Sequence, residues 1–151
     1  MSDAAAKPKT FPEEDLLCFA VYSAGHAFNR VYKPLLDELG LTYPQYLVML
    51  CLWGKDDQTV GELGDALFLE SSTLTPLLKR LQAVNYLTRN RDPADERQVR
   101  VRLTSAGRAL HKKARDIPPC ILEASGLSLA DMRKLLRDIK TLRESLLKSA
   151  K

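Results

Sequence analysis

The chain has 151 residues, 45% of them hydrophobic and 28% charged, which fits a single globular domain with its own core. No apolar run approaches the ~20 residues that cross a bilayer, and the first eleven residues lack the apolar segment of a secretion signal. The three cysteines are widely spaced, as is typical of proteins in a reducing compartment. We therefore expect a cytoplasmic protein without membrane association.

The formal net charge of +4 is unevenly distributed along the chain. Residues 1–78 hold five Lys and Arg against eleven Asp and Glu, a net charge of −6, whereas residues 79–115 hold eleven against three, a net charge of +8. Most charge runs are solvated surfaces. A basic block that begins inside a helix with a polar leading end favours contact with a polyanion.

A short tail and a long helix are predicted first. Residues 1–11 indicate a disordered tail. A helix should begin at Pro12, with acidic residues in its first turn, and run to about Leu39 before Gly40. Pro34 is expected to kink or divide it. So long an amphipathic helix at a chain end usually needs a partner surface.

Two helices follow. The second begins at Thr42-Tyr43-Pro44-Gln45, with Thr42 or Tyr43 near its N-cap. Within it, Tyr46–Trp53 is nearly all apolar and therefore central to the core. Thr59 caps a short third helix, Val60–Leu67. The predicted turn Phe68–Glu70 then leads to a fourth helix, which makes a helix-turn-helix.

The fourth helix is predicted from Ser71 to about Val84. Leu74, Leu77, Leu78 and Leu81 recur at the spacing of one buried face, and Pro76 is expected in the first turn. Its leading end and opposite face carry hydroxyls and cations suited to phosphates and base edges. The predicted DNA-contacting residues of this helix are Ser71, Ser72, Thr73, Thr75, Lys79 and Arg80.

Alternating apolar and polar residues predict two strands, Tyr86–Arg89 and Gln98–Leu103, joined by a polar loop Asn90–Arg97. A basic hairpin after a helix-turn-helix is a wing. A fifth helix should open at Thr104 and be interrupted at Pro118-Pro119. A sixth, with a capping-box pattern at Ser128, should reach the C-terminus.

These elements in this order resemble the MarR family of winged-helix repressors, and most of all its organic hydroperoxide resistance branch. The resemblance extends from about Leu16 to Leu147. It rests on Leu17-Cys18-Phe19, Tyr32–Leu36, Leu41–Leu47, Thr73–Arg80, Asp95-Glu96-Arg97 and Leu103-Thr104-x-x-Gly107.

The resemblance implies a mainly α fold with a small β-wing and one MarR-type domain over residues 12–151. Residues 12–58 and 104–151 would supply the dimerisation helices of an intertwined homodimer, and residues 59–103 the winged helix-turn-helix. Such a dimer should bind a pseudo-palindromic site on double-stranded DNA, with half-site centres about 34–36 Å apart.

In the wing, Arg97 resembles the family residue that enters the minor groove, with Asp95 bracing its guanidinium. Arg89 and Arg91 are weaker candidates for phosphate contacts. For Arg100, a phosphate contact and an ordinary solvated arginine are equally favoured.

Cys18 carries the candidate thiol chemistry. It is expected two turns into the first helix, and Tyr22, four residues on, shares its face and could donate to a thiolate, the nucleophilic form. Glu14 would oppose that stabilisation. Judged from the residues alone, Cys18 is a small hydrophobe in the core. The resemblance instead implies a peroxide sensor surrounded by Tyr22, Tyr32 and Tyr43, the last two from the other subunit.

A sulfenic acid formed on Cys18 can be converted to a disulfide by a second thiol. The resemblance favours Cys120, across the subunit interface, although its neighbours Ile121 and Leu122 also permit simple burial. Cys51, in the apolar run Leu47–Trp53, is expected in the core. Release of DNA by an organic hydroperoxide is the favoured function. The alternative is a MarR-type repressor released by a small aromatic or phenolic ligand in the dimer cleft.

An enzyme and a metal sensor are both disfavoured. The two histidines, His26 and His111, have no neighbouring nucleophile, and no Gly-rich phosphate loop is present. The chain has neither Cys-x-x-Cys nor His-x-x-x-His. We therefore expect no catalytic residues, metal or cofactor.

Overall fold

The computed structural model describes residues 16–150, which form seven helices and one three-stranded antiparallel sheet of order β1-β3-β2. The described chain is a winged helix, as expected. None of its helices is long and apolar enough to cross a membrane. The elements are α1 Leu17–Asp37, α2 Tyr43–Gly54, β1 Gln58–Thr59, α3 Val60–Leu67, α4 Ser71–Ala83, β2 Leu87–Asp92, β3 Asp95–Leu103, α5 Ser105–Ala114, α6 Ile117–Ser125 and α7 Leu129–Ser149.

The second, third and fourth helices agree closely with the sequence pattern. Thr42 and Thr59 each form a full capping box, with the side chains of Gln45 and Glu62 returning to the cap backbone. The predicted bounds of α3 are confirmed, and α4 ends one residue early, at Ala83.

The first helix differs from the prediction. Leu16 has an extended backbone (φ −114°), so α1 begins at Leu17 and not at Pro12; the predicted tail and the residues around Pro12 lie outside the described chain. Pro34 does not divide the helix, which continues to Asp37. The next residue but one, Leu36, is buried in the core and holds this last turn in place.

The predicted loop Asn90–Arg97 is wrong, because the two strands extend into it and leave only Pro93 and Ala94 between them. The carboxylate of Asp92 accepts a hydrogen bond from the Ala94 N–H at 2.9 Å, which closes the turn. Strand β1, which pairs Gln58–Thr59 with β3, was missed because two residues are too short to show alternation.

The predicted interruption at Pro118-Pro119 is also misplaced. These prolines lie in the first turn of α6, where their missing N–H groups cost little, and the break falls at Arg115–Asp116. The described chain therefore has one more helix than expected. Ser128 caps α7 by accepting from the Asp131 N–H, as predicted, but within residues 16–150 the Asp131 side chain makes no return bond that would complete a capping box.

The core lies between α2, the helix-turn-helix and the sheet. Leu74, Leu78 and Leu81 of the predicted stripe are fully buried there, and Leu77 packs against them from a half-buried position. The apolar face of α4 is thereby fixed inward, and its hydroxylated leading end is directed outward.

Gly107 in α5 is the tightest backbone contact of the fold. A Cβ at this position would overlap the carbonyl oxygen of Tyr86, which also accepts from the Thr104 N–H. We expect Gly107→Ala to lower the free energy of unfolding by about 2–3 kcal/mol, because the obstacle is backbone and cannot swing away. Urea denaturation measures this effect.

Gly61→Ala is the matched control, since its Cβ would meet nothing closer than the Thr59 hydroxyl at 3.8 Å. Equal unfolding midpoints for the two variants would contradict the close approach at Gly107.

Candidate nucleic-acid interface and thiol site

The leading end of α4 presents an exposed row of hydroxyls, Ser71, Ser72 and Thr73, with Thr75 half-buried behind them. The N-cap is Glu70, whose side chain makes no capping hydrogen bond. Within residues 16–150, none of these four hydroxyls makes a hydrogen bond to another residue. They remain available to an external partner.

Pro76 is the sixth residue of α4, so the prediction that it lies in the first turn is wrong. At this depth its missing N–H leaves the carbonyl of Ser72, four residues earlier, without the usual helical donor. The leading end of α4 therefore offers an acceptor as well as hydroxyl donors.

The leading end of α4 and the wing share one cleft. Its volume is about 400 Å³, and it is lined by Ser71 and Thr75 from α4, and by Arg89, Arg97 and Gln98 from the wing. Lys79 and Arg80 are exposed further along α4. The cleft thus brings together four of the residues predicted to contact DNA, namely Ser71, Thr75, Arg89 and Arg97.

Arg97 projects from β3 with its side chain 92% exposed. Asp95 holds the guanidinium at two points, with 3.1 Å from Nε to Oδ1 and 3.4 Å from Nη2 to Oδ2. A surface ion pair of this kind adds little to stability. Its effect is to orient the guanidinium, which is the bracing geometry expected from the sequence.

Arg89 and Arg91 have local partners. Arg89 donates from Nε to Oε1 of Gln82 at 2.8 Å, which ties the wing to α4. Arg91 donates from Nη1 to the carbonyl of Glu96 at 2.8 Å, across the hairpin. Both guanidinium groups keep further N–H donors, so phosphate contacts remain open to them.

Arg100 is held by two aspartates, an arrangement that neither of the two interpretations of this residue had included. Its Nε donates to Asp92 at 3.0 Å, and its Nη1 donates to the carboxylate and carbonyl of Asp57, both at 3.2 Å. The neighbouring Asp56 accepts from the Leu103 N–H at 2.8 Å. This acidic pair was missed, although its place just before a basic hairpin was a usable signal.

The pKa values of the two carboxylates around Arg100 are lowered, which favours their charged form. A hydrogen bond from Arg102, followed by one from Arg100, lowers the pKa of Asp57. The Ala94 N–H, followed by Arg100, lowers the pKa of Asp92. Because the folded pKa values lie below those of the unfolded chain, this stabilisation is present above about pH 4 and is lost as the pH falls through the folded values.

We therefore expect Arg100→Gln to lower the urea midpoint at pH 7, and the difference from wild type to shrink below about pH 4. Arg91→Gln is the control, because its partner is a carbonyl that does not titrate. A difference for Arg100→Gln that stays constant from about pH 7 to about pH 3 would contradict the role of the two carboxylates.

Cys18 is the second residue of α1 and is exposed. It therefore lies in the first turn of α1, not two turns in. It is not the core hydrophobe that the residues alone suggested. Tyr22, one turn on, is 65% exposed and packs edge-on against His26 at 4.5 Å between ring centroids.

The other two cysteines lie in different surroundings. Cys51 packs against the core, and burial raises the pKa of its thiol, which agrees with the expected structural role. Cys120 is half-buried on α6. All three thiols are free.

Tyr32 and Tyr43 form a cluster with Tyr46. Ring centroids lie 4.8 Å apart for Tyr32 and Tyr43, and 5.9 Å apart for Tyr32 and Tyr46. Burial, followed by the neighbouring Tyr43, raises the pKa of Tyr32 to about 12, so its phenol stays a hydrogen-bond donor. Tyr32 lies fourteen residues beyond Cys18 on the same helix, roughly 21 Å along its axis. The two cannot meet within one chain.

An apolar surface runs along the long helices. No residue of α7 is buried, and the side chains of its Leu135 and Leu136 are each 50% exposed. Leu17, Val21 and Phe28 on α1 are also exposed. Apolar exposure of this extent marks an interaction surface.

Comparison with known proteins agrees with this geometry. The sequence profile described as transcriptional regulator SarA/Rot matches residues 30–114. The HTH-type transcriptional regulator TtmR of Methylorubrum extorquens is 49% identical over 86% of this chain and 67% of its own length. The organic hydroperoxide resistance transcriptional regulator of Bacillus subtilis is 45% identical over 88% of this chain and 90% of its own.

Solved structures of AbfR from Staphylococcus epidermidis have the same fold at 33% identity. The structure of reduced AbfR bound to DNA has a TM-score of 0.74 and covers 87% of this chain and 91% of that one. The TM-score is 0.72 for overoxidised AbfR bound to DNA and 0.60 for disulfide-formed AbfR. These similar proteins are transcriptional regulators and not enzymes. The chain belongs to the MarR/SarA-like family of winged-helix transcriptional regulators.

Proposed function

We propose that this chain is a homodimeric repressor that leaves its operator when an organic hydroperoxide oxidises Cys18. The observation that carries the proposal is the position of this thiol, which is exposed in the first turn of α1. Cys51, by contrast, is packed against the core. The name of the Bacillus subtilis relative points to the same class of inducer.

The homodimer follows from the exposed apolar faces of α1 and α7. A second copy would cover them, because an isologous interface matches each face with its equivalent. It would also supply a second copy of α4, the proposed recognition helix, which a pseudo-palindromic operator requires.

DNA binding uses the shared cleft. The hydroxyls of Ser71, Ser72, Thr73 and Thr75 would contact base edges and phosphates in the major groove, and Lys79 and Arg80 the backbone. Arg97, braced by Asp95, would reach the adjacent minor groove, with Arg89 and Arg91 on flanking phosphates. The net charge of +8 over residues 79–115 supports this placement.

Sensing begins with attack of the Cys18 thiolate on a peroxide oxygen. The O–O bond breaks, an alcohol leaves, and the sulfur becomes a sulfenic acid. Tyr22, with Tyr32 and Tyr43 of the second subunit, would donate hydrogen bonds to the reacting sulfur and oxygen. The separation of roughly 21 Å along α1 is the reason that Tyr32 and its neighbour Tyr43 must come from the other copy.

Release would follow when the Cys120 thiol of the other subunit attacks the sulfenic sulfur, expels water and forms an intersubunit disulfide. The AbfR structures support the proposal that disulfide formation, and not every oxidation of the sensor thiol, releases DNA. Its overoxidised form is bound to DNA, whereas its disulfide form departs more from the fold seen here.

Cys120→Ser tests this step. Treatment of the wild-type protein with cumene hydroperoxide should give a covalent dimer on non-reducing electrophoresis, and this band should be absent from the variant because the resolving thiol is missing. Cys51→Ser should keep the band. A covalent dimer that persists in Cys120→Ser refutes the pairing.

The second candidate is release by a small aromatic or phenolic ligand. An apolar cavity of about 200 Å³ between α1 and α6, lined by Ala24, Phe28, Val31 and Ile121 among others, would suit such a ligand. The compound that releases the protein from DNA distinguishes the two mechanisms. Release by salicylate-like compounds alone, with no response to hydroperoxide, would favour the ligand.

A further inference from the structure

We infer that Arg143 on α7 and Phe68 in the turn before α4 form a contact that fixes the recognition helix and raises operator affinity. The guanidinium carbon of Arg143 lies 4.3 Å from the centroid of the Phe68 ring, well within the range of a cation–π interaction. The contact joins the long C-terminal helix directly to the helix-turn-helix.

Phe68 is rigidly connected to α4. It has a left-handed backbone (φ 57°, ψ 39°), and its N–H bonds to the Gly64 carbonyl. The next N–H, of Leu69, bonds to the same carbonyl at 3.0 Å. Glu70, the N-cap of α4, follows immediately. A displacement of the Phe68 ring is therefore passed to the DNA-facing end of α4.

Packing does not account for this ring. A left-handed conformation is unfavourable for a bulky residue, and Phe68 is nevertheless 55% exposed. The strained turn instead presents one aromatic face toward α7. That face is the one that Arg143 covers.

Arg143 is available for this role. Its guanidinium has no carboxylate partner within residues 16–150, and no residue of α7 is anchored in the core. The ring of Phe68 is thus a defined contact between α7 and the helix-turn-helix. Without it, the leading end of α4 would keep more freedom of position, which DNA binding would have to restrict at a cost in affinity.

The test measures DNA binding by the reduced, full-length protein. The probe is a fluorescein-labelled duplex that the wild-type protein selects from a randomised pool, and the readout is fluorescence anisotropy. We expect Arg143→Ala and Phe68→Leu each to weaken binding about two- to fivefold per subunit, and the double variant to be no weaker than either single one. Arg143→Lys, which keeps the cation, should retain most of the affinity.

Arg137→Ala is the matched control, because it removes the same charge from the same helix at a position without a ring contact in the described chain. It should stay within about twofold of wild type. Equal affinities for Arg143→Ala and Arg137→Ala, or additive losses in the double variant, would overturn the inference. Urea midpoints confirm that the variants are folded. The inference rests on the DNA-binding part of the proposed function and not on its thiol chemistry, so its failure leaves peroxide sensing intact.

Discussion

Cys18→Ser protein should remain on its operator at hydroperoxide concentrations that release the wild-type protein completely. A serine hydroxyl has nearly the size of the thiol but is not oxidised by peroxide, so the folded dimer and its DNA affinity are preserved while the trigger is removed. The measurement is an anisotropy titration of a labelled operator duplex with cumene hydroperoxide. We expect the half-release concentration to rise by more than about a hundredfold, since neither of the other two thiols is equivalently exposed.

Cys51→Ser is the control for this experiment, because Cys51 packs against the core and burial raises the pKa of its thiol. It should respond like the wild-type protein. Release of Cys18→Ser at the wild-type peroxide concentration would end the thiol mechanism and favour the ligand-released alternative.

Arg97→Ala should reduce operator affinity by about ten- to a hundredfold while the dimer stays folded. The guanidinium is 92% exposed and is held by Asp95, so its removal deletes a pre-oriented cation in each subunit without disturbing the core. The slope of log affinity against log salt should also fall by about one for each phosphate that the Arg97 side chain neutralises. Gel-shift titrations at several salt concentrations give both quantities.

Arg100→Gln separates the structural arginine from the DNA-facing one. Since Arg100 is engaged by Asp57 and Asp92, its removal should lower the urea midpoint and leave the salt slope nearly unchanged. Unchanged affinity in Arg97→Ala would contradict the assignment of the wing.

Much of this fold could be predicted from the sequence, because local and tertiary signals agree along most of the chain. The N-caps predicted near Thr42 and at Thr59 and the leucine stripe of α4 are short-range patterns, and the structure confirms each of them. The order of the elements then identified the winged helix.

The errors arose where a distant partner decides the structure. The strand residues Asn90–Asp92 look like loop until β3 pairs with them, and the two-residue β1 is visible only from β3. The ion pairs of Arg100 could not be predicted because its acidic partners lie more than forty residues away or across the turn.

The thiol site shows the same limit. The sequence indicated Cys18 through family resemblance, but its depth in α1 depended on the helix start, which an apparent Pro12 signal misplaced. Nothing in the sequence pattern links Arg143 to Phe68, seventy-five positions apart, since only the folded chain brings a helix-face cation to a turn.

Oxidation of Cys18 and release of DNA should be one event. The most direct measurement follows both in the same samples, by mass spectrometry of Cys18 and Cys120 and by operator anisotropy, over graded cumene hydroperoxide. We predict that the DNA-bound fraction falls in step with the reduced Cys18 fraction as the Cys18–Cys120 disulfide appears. Protein that leaves DNA with Cys18 still reduced, or that stays bound with the disulfide complete, would contradict this mechanism.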